Sequence, residues 1–352
     1  MRILILCKRH YTNKDLILDR YGRLFHIPVA LGKLGHEVLV LAADYGSASG
    51  VGLVTDSVEF RSVPVSPMSL FKYWRDVNTT ADGFAPEVVI ASGDTPLGLV
   101  GRRISRRMGI PFVFDVYDNY LAFDSARIPG MRPLFRSLAS SADLVLAVSD
   151  RLQYLLGRCV NSLVLNNGVD TELFRPMDRD EQRAKLGIAD DALVVGYVGA
   201  VQQNRGIETL IEAVRLLDEP ARLLLVGADN GTVDHTRFHW VEYRGVLPQS
   251  SVPAVINVCD VAVVPYPDSD WAGYTSANKL QEYLACGVPV VVTDISDYRL
   301  LAAASEAVCR PSDPSDMARA IEYQIRERAI ASDGAVTWDT LARTLDEALK
   351  GL

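Results

Sequence analysis

Short apolar runs alternate with stretches whose apolar positions recur at helical spacing, and the alternation continues along nearly the whole chain. In the first half the runs are "RILILC", "VLVLAA", "EVVIAS", "PFVFDVY" and "DLVLAVS", with a helix ending in "VALGKLGHE" between the first two. Unbroken Val, Ile and Leu predict strands covered on both faces, and helical stretches between them predict a parallel sheet flanked by helices. Gly35 and His36 close the first helix as a C-cap.

After "SLVLNNGVDTELFRP" comes the charge-dense "MDRDEQRAKLG", read as a linker and lead-in helix. A second series then begins with the strand "ALVVGYVGA", a helix over 207–217, the strand "ARLLLVGA" and a hairpin-like region around "HWVEYRGVL". The strand "VAVVPY", a helix over 276–286 and the strand "VPVVVTD" complete it. The tail "AVTWDTLARTLDEALKGL" is amphipathic, with Thr337 as its N-cap. The pattern therefore predicts an α/β protein of two doubly wound, Rossmann-like domains, 1–175 and 176–335, facing an interdomain cleft. Residues 336–352 form a helix that packs back toward the first domain. Ligands of such sheets sit at the carboxyl ends of the strands.

Composition agrees with two cores, since 352 residues exceed the size at which one core stops growing. Residues 1–170 carry 19 Lys and Arg against 16 Asp and Glu, a net +3, so the remainder carries −11 to give the formal −8 of the whole. A mildly basic half beside an acidic one suits an anionic membrane surface or a lipid-phosphate acceptor better than nucleic acid. Five scattered cysteines without a CxxC pair predict a reducing, cytoplasmic setting, with nucleophile and metal roles disfavoured. The apolar start breaks at Lys8 and Arg9, far short of a signal core or a span of about 20 residues, so neither export nor membrane crossing is expected.

The chemistry concentrates in "YTSANKLQEYLACGVPVVVTD". Ser276 is placed as the N-cap of the following helix, whose first-turn N–H groups and dipole suit a diphosphate, with the Lys279 ammonium adding charge. Glu282 lies beyond that first turn. It either accepts both hydroxyls of a ribose or pairs with Lys279 at i, i+3, and spacing leaves the two open.

This segment resembles the E-x7-E region of the retaining family 4 glycosyltransferases. "LGKLGHEVLVLAA", "SADLVLAVSDRL", "VLNNGVDTELFRP", "VGYVGAVQQNRGIETLIEAV" and "YLACGVPVVVTD" agree with that family in order. The resemblance implies the GT-B fold and transfer of a sugar from a nucleotide-diphosphate sugar to a glycan or lipid-linked acceptor. Configuration would be retained, without a metal or other cofactor. It makes Glu282 the ribose-binding residue and has Thr275, Ser276 and Ala277 offer backbone N–H groups to the phosphates. Gly22, Gly199, Arg205, Val246, Leu247, Tyr274, Asn278 and Lys279 complete the donor set, and Tyr117, Asp118, Arg205 and Lys279 are the catalytic candidates. It further implies polysaccharide biosynthesis, at the inner membrane face through peripheral contact of the first domain.

The chain departs from the family at three places. Tyr274 stands where the first Glu belongs, Ala200 where an Arg usually follows the strand glycine, and Tyr117-Asp118 where a His-Asp is common. Arg205 retains a bidentate phosphate clamp. Tyr117 is a poor base near neutral pH; Asp118 is either a base or the cap of the next turn. Gly22 would admit the donor phosphate closely. Asp268 and Asp270 spell DxD but follow a strand, where a substrate loop is the commoner outcome than a metal site. Trp271 is a sugar-stacking candidate, while Trp240 and Trp338 are expected to pack. The basic run "GRRISRRMG", with Arg102, Arg103, Arg106 and Arg107, is either a lipid contact or a solvated helix face. The departures motivate a rival reading, a non-catalytic GT-B scaffold. A sugar-nucleotide epimerase of the same fold, which would rearrange its donor without an acceptor, is another. A nicotinamide enzyme is disfavoured because no GxGxxG follows either first strand.

Overall fold

The computed structural model describes residues 1–11, 14–46, 51–55, 57–66, 70–157, 161–331 and 334–352; Cys159 lies outside them. It divides into two compact units, Met1–Asn167 with Trp338–Leu352, and Gly168–Thr337. The division drawn after residue 175 falls inside the second unit, because Val169 and Phe174 belong to that unit's core.

The first unit contains β1 (Arg2–Lys8), a small ribbon of β2 (His10–Tyr11) and β3 (Lys14–Asp15), α1 (Arg23–Lys33), β4 (Glu37–Asp44), β5 (Gly52–Thr55), β6 (Val58–Pro64) and α2 (Leu70–Phe84). It continues with β7 (Val88–Ser92), α3 (Thr95–Met108), β8 (Phe112–Val116), α4 (Met131–Ser140), β9 (Leu144–Ala147), α5 (Asp150–Leu156) and β10 (Ser162–Val164). Its main sheet has the order β10-β9-β8-β7-β1-β4-β6-β5. Only β5, at the edge, runs antiparallel to its neighbour in that sheet. From β1 the chain moves outward through β4 to β6, then returns to lay β7 on the other side of β1. That reversal opens a crevice beyond the carboxyl ends of β1 and β7, where ligands of open α/β sheets bind.

The second unit contains α6 (Arg179–Leu186), β11 (Leu193–Val198), α7 (Ile207–Arg215), β12 (Ala221–Val226), β13 (Val241–Tyr243) and α8 (Val252–Asn257). β14 (Val261–Val264), α9 (Asn278–Ala285), β15 (Val290–Thr293), β16 (Val308–Cys309) and α10 (Pro314–Glu327) follow. The sheet order is β13-β12-β11-β14-β15-β16, so the second reversal lies between β11 and β14. The expected hairpin around "HWVEYRGVL" is absent. β13 instead pairs parallel to β12, Leu223 opposite Val241, since residues 227–240 are long enough for a crossover.

Local chemistry explains the boundaries. His36 N donates to Leu31 O and Gly35 N to Gly32 O, closing α1 with Gly35 at φ +89°. In α6, Asp178 Oδ1 accepts the Glu181 N–H at 2.8 Å and Gly187 ends the helix in the left-handed region. Arg183, wholly buried, ties α6 to the start of β14 by donating to Val258 O and, at 2.9 Å, to Asp260. α11 (Trp338–Lys350) begins directly after Thr337 and packs on α1. Trp338 stacks on His26 at 5.5 Å, and Asp346 meets His36 at 2.9 Å. Among the described residues no helix is long and apolar enough to cross a membrane.

Candidate functional site

The second reversal gathers basic and aromatic side chains. Past β11, Gly199 has φ +150°, and a Cβ built there would lie 2.7 Å from Lys279 Cε, so the glycine makes room for the lysine. Lys279 reaches up from the first turn of α9 and donates to the Tyr266 hydroxyl, its ammonium also standing 5.0 Å from the Tyr197 ring centre. Arg205 ends the short turn Gln203–Arg205 before α7, and its guanidinium lies over the Trp271 ring at 3.6 Å and 5.5 Å from the Tyr266 ring. A stacked guanidinium keeps its in-plane donors directed outward. Among the described residues neither Arg205 nor Lys279 has a carboxylate within ion-pair distance. Burial opposes ionisation of the Tyr266 phenol, yet the adjacent Lys279 and Arg205 outweigh it and hold its pKa below the ordinary tyrosine value. Two cations thus share one phenol.

Glu282, one turn along α9, does not form the ion pair that its spacing allowed; the ammonium is taken by Tyr266. The Glu282 carboxyl is pushed up to about 7 by burial, against the pull of Lys279. Its side chain nevertheless keeps some exposure to solvent.

Other expectations change in detail. Ala277, not Ser276, is the N-cap of α9 and makes no side-chain cap bond, so the helix begins at Asn278. The Thr275 N–H is not offered to a ligand; it points to Ala272 O at 3.4 Å, in the turn that precedes the helix. Its hydroxyl meets the Tyr298 hydroxyl at 3.0 Å, which fixes the loop before α9. Tyr274 ends that turn, half-buried. Val246 is 64% exposed and Leu247 half-buried, both beyond β13. Trp271 is no open sugar platform, because Arg205 covers its ring. Asp268 and Asp270 are exposed, and among the described residues no group of His, Cys, Asp and Glu could hold a metal. Burial raises the Cys259, Cys286 and Cys309 thiols to about 12, as befits core residues.

In the first unit Asp118 lies just past β8, its Oδ1 accepting the Asn119 N–H and its carbonyl the Tyr120 N–H, so it does shape the turn. Burial raises the Tyr117 phenol far above its usual pKa. A Cβ at Gly22 would fall 1.6 Å from Tyr11 Oη, which donates to Tyr21 O. The glycine therefore admits a tyrosine hydroxyl, and the room assigned to a donor phosphate is filled. On α3, Arg107 pairs with Asp82 at 2.5 Å and Arg103 lies 5.1 Å over Trp74. Spacing pointed to Lys279 and Glu282, whereas Tyr266, Tyr197 and the pairing of Trp271 with Arg205 arise from contacts between strand ends distant in sequence.

Comparison with known proteins identifies the architecture. A family described as "Glycosyl transferases group 1" matches residues 192–327, and one described as "Glycosyl transferase 4-like domain" matches residues 24–161. The chain belongs to the group 1 glycosyltransferases. Similar members include a D-inositol 3-phosphate glycosyltransferase of Geodermatophilus obscurus, 28% identical, the match covering 68% of this chain and 59% of the relative. A GDP-mannose-dependent alpha-mannosyltransferase of Mycolicibacterium smegmatis is 26% identical, with 86% and 82% covered. The chain thus spans about three fifths of the first relative's length. Among solved structures, sucrose-phosphate synthase of Thermosynechococcus elongatus superposes with a TM-score of 0.79 at 16% identity, covering 100% and 99%. Anabaena HepE in complex with UDP-glucose does so at 0.75 and 19%, covering 100% of each chain. This group 1 glycosyltransferase therefore has the GT-B fold, as its two parallel sheets also show.

Proposed function

We propose that the protein transfers a sugar from a nucleotide-diphosphate sugar, held by the second unit, to an acceptor held by the first. The observation that carries this reading is the pair Arg205 and Lys279, two cations without a carboxylate partner among the described residues, at the reversal between β11 and β14. Two half-buried cations side by side repel each other unless an anion neutralises them, and a diphosphate supplies two negative groups. The names of similar proteins support the donor class, since they include a GDP-mannose-dependent enzyme and a UDP-glucose complex.

In this reading the Arg205 guanidinium and the Lys279 ammonium hold the diphosphate and meet the negative charge that grows on it as the glycosidic bond breaks. Glu282 accepts the ribose hydroxyls. The scheme implies retention of configuration, with the incoming hydroxyl attacking the face that the diphosphate leaves and no protein nucleophile involved. No step calls for a metal. Tyr274, in place of a carboxylate, points to recognition of the transferred sugar by contacts that differ from the family's usual ones.

A scaffold reading draws on Ala200 and Tyr274, which remove one cation and one carboxylate from the usual set. Incubation of the purified chain with UDP-glucose, GDP-mannose and related nucleotide sugars separates the two. Slow release of nucleoside diphosphate, absent in an Arg205→Ala, Lys279→Ala double variant, is expected of a transferase. No release from any nucleotide sugar would favour the scaffold.

A further inference from the structure

The cation pair of the second unit stands on an aromatic frame, and the frame is fixed more firmly than the cations. Tyr266 lies just past β14 and is only 3% exposed. Its carbonyl accepts the hydroxyl of Thr293, a wholly buried residue at the end of β15, at 2.8 Å. Its ring meets Trp271 edge-on at 5.2 Å and lies 6.2 Å from the ring of Tyr298, which Thr275 holds in turn. Backbone and ring of Tyr266 are therefore both pinned, whereas Lys279 ends in an ammonium on a flexible four-carbon stem.

The Tyr266 hydroxyl accepts one N–H of that ammonium, whose Nζ also stands 4.5 Å from the centre of the same ring. An ammonium has three donors, so one hydrogen bond to Tyr266 aims it and leaves two for a ligand. The Arg205 guanidinium rests over Trp271 and beside Tyr266. Its buried Nε has no hydrogen-bond partner among the described residues, so it too keeps donor capacity. A site whose charged side chains are already ordered loses less conformational entropy when its ligand arrives.

We infer that Tyr266 is a positioning residue of the donor site, holding the Lys279 ammonium beside Arg205 in the absence of ligand so that both cations meet one diphosphate. This role rests on the diphosphate reading of Arg205 and Lys279. It has a consequence for titration. Burial opposes ionisation of the Tyr266 phenol, but Lys279 and Arg205 bring its pKa below the ordinary value, and a bound diphosphate that neutralises them raises it again. Reciprocally, ionisation of Tyr266 weakens diphosphate binding. The neighbouring phenols of Tyr197, Tyr283 and Tyr298 are driven upward by burial, so Tyr266 is the first of the four to ionise.

Calorimetric titration of the full chain with UDP and GDP beside UMP and GMP, on the parent and on Tyr266→Phe, tests it. The substitution keeps the ring and removes the hydroxyl. Near neutral pH the preference for diphosphate should fall roughly threefold or more in Tyr266→Phe. Lys279→Ala should cost the Tyr266→Phe variant less of that preference than it costs the parent, because the lysine is no longer aimed. Between about pH 8 and about pH 9.5, above the Glu282 value of about 7, diphosphate affinity should fall more steeply in the parent than in Tyr266→Phe, a comparison in which ionisation of the base cancels. Carbon NMR of ring-labelled tyrosine should show one phenol that ionises below the ordinary range, is missing in Tyr266→Phe, and moves upward when UDP or GDP binds the parent. That upward shift is read on the parent alone, whatever the variant's fold. A tyrosine that only packed would change the melting temperature and leave the pH profiles alike. Unchanged or stronger diphosphate preference in Tyr266→Phe, additive losses from the two substitutions, matching pH profiles, or no such phenol would overturn the positioning role and leave the donor reading standing. No diphosphate preference in the parent would overturn both.

Discussion

Glu282 shows how one side chain couples folding to binding. Its carboxyl loses its proton near pH 7 in the folded chain, against the ordinary 4.5, because burial disfavours the charged form. The folded state therefore holds this proton more tightly than the unfolded state. The associated stability is fully present below the ordinary value and is lost as pH rises through about 7. A Glu282→Gln variant, neutral throughout, should melt close to the parent in acid and above it at about pH 8 in thermal scans. Glutamine keeps one amide oxygen as an acceptor, so truncation to alanine is the clearer test of the proposed ribose contact. Glu282→Ala is expected to weaken nucleotide-sugar binding by about 2–3 kcal/mol, or roughly 30- to 150-fold, in calorimetry. Unchanged affinity would take Glu282 out of the donor site. The sequence made Glu282 and Lys279 visible because both fall on one short helical pattern. It left their partnership open, since Tyr266, which takes Lys279, comes from the end of a different strand.

At the level of elements, the turn that carries Arg205 depends on a glycine that no motif singled out. Gly206 has φ +74°, and a Cβ there would lie 1.9 Å from Pro265 O at the end of the β14 segment. The close approach of these two backbones sets Arg205 over Trp271 and next to Tyr266. Gly206→Ala combines a left-handed strain of about 1–2 kcal/mol with that overlap. It should lower the melting temperature and weaken nucleoside diphosphate binding together. A variant that binds normally would show that the turn can move without displacing Arg205. Helix and strand patterns were legible where apolar runs were continuous, as in β1, β4, β11 and β14. β13 was misread because three residues at a sheet edge carry too little pattern to distinguish a parallel crossover from a hairpin. The start of α9 was misplaced by the preference of serine for caps, which the turn fixed by Thr275 and Tyr298 overrides.

Over the whole molecule, two parallel sheets of similar design carry opposite charge logic at their strand ends. Lys8, Arg9 and Arg23 of the first unit pair with Asp94, Asp15, Asp44 and Asp115, while Arg205 and Lys279 in the second have no carboxylate within ion-pair distance among the described residues. Overall charge hid this, since the half with the net positive count is the one whose strand-end cations are paired. The doubly wound architecture was legible because buried parallel strands write themselves as unbroken Val, Ile and Leu. The pairing of charges was not, because Lys8 and Asp94 lie 86 positions apart and meet only through the β1–β7 register. The central claim is that Arg205 and Lys279 form a diphosphate site, and calorimetric titration of UDP and GDP beside UMP and GMP tests it most directly. The account predicts that at least one diphosphate binds roughly tenfold or more tightly than its monophosphate, and that Arg205→Ala with Lys279→Ala abolishes the difference. Equal affinity for mono- and diphosphate, or an undiminished preference in the double variant, would contradict it.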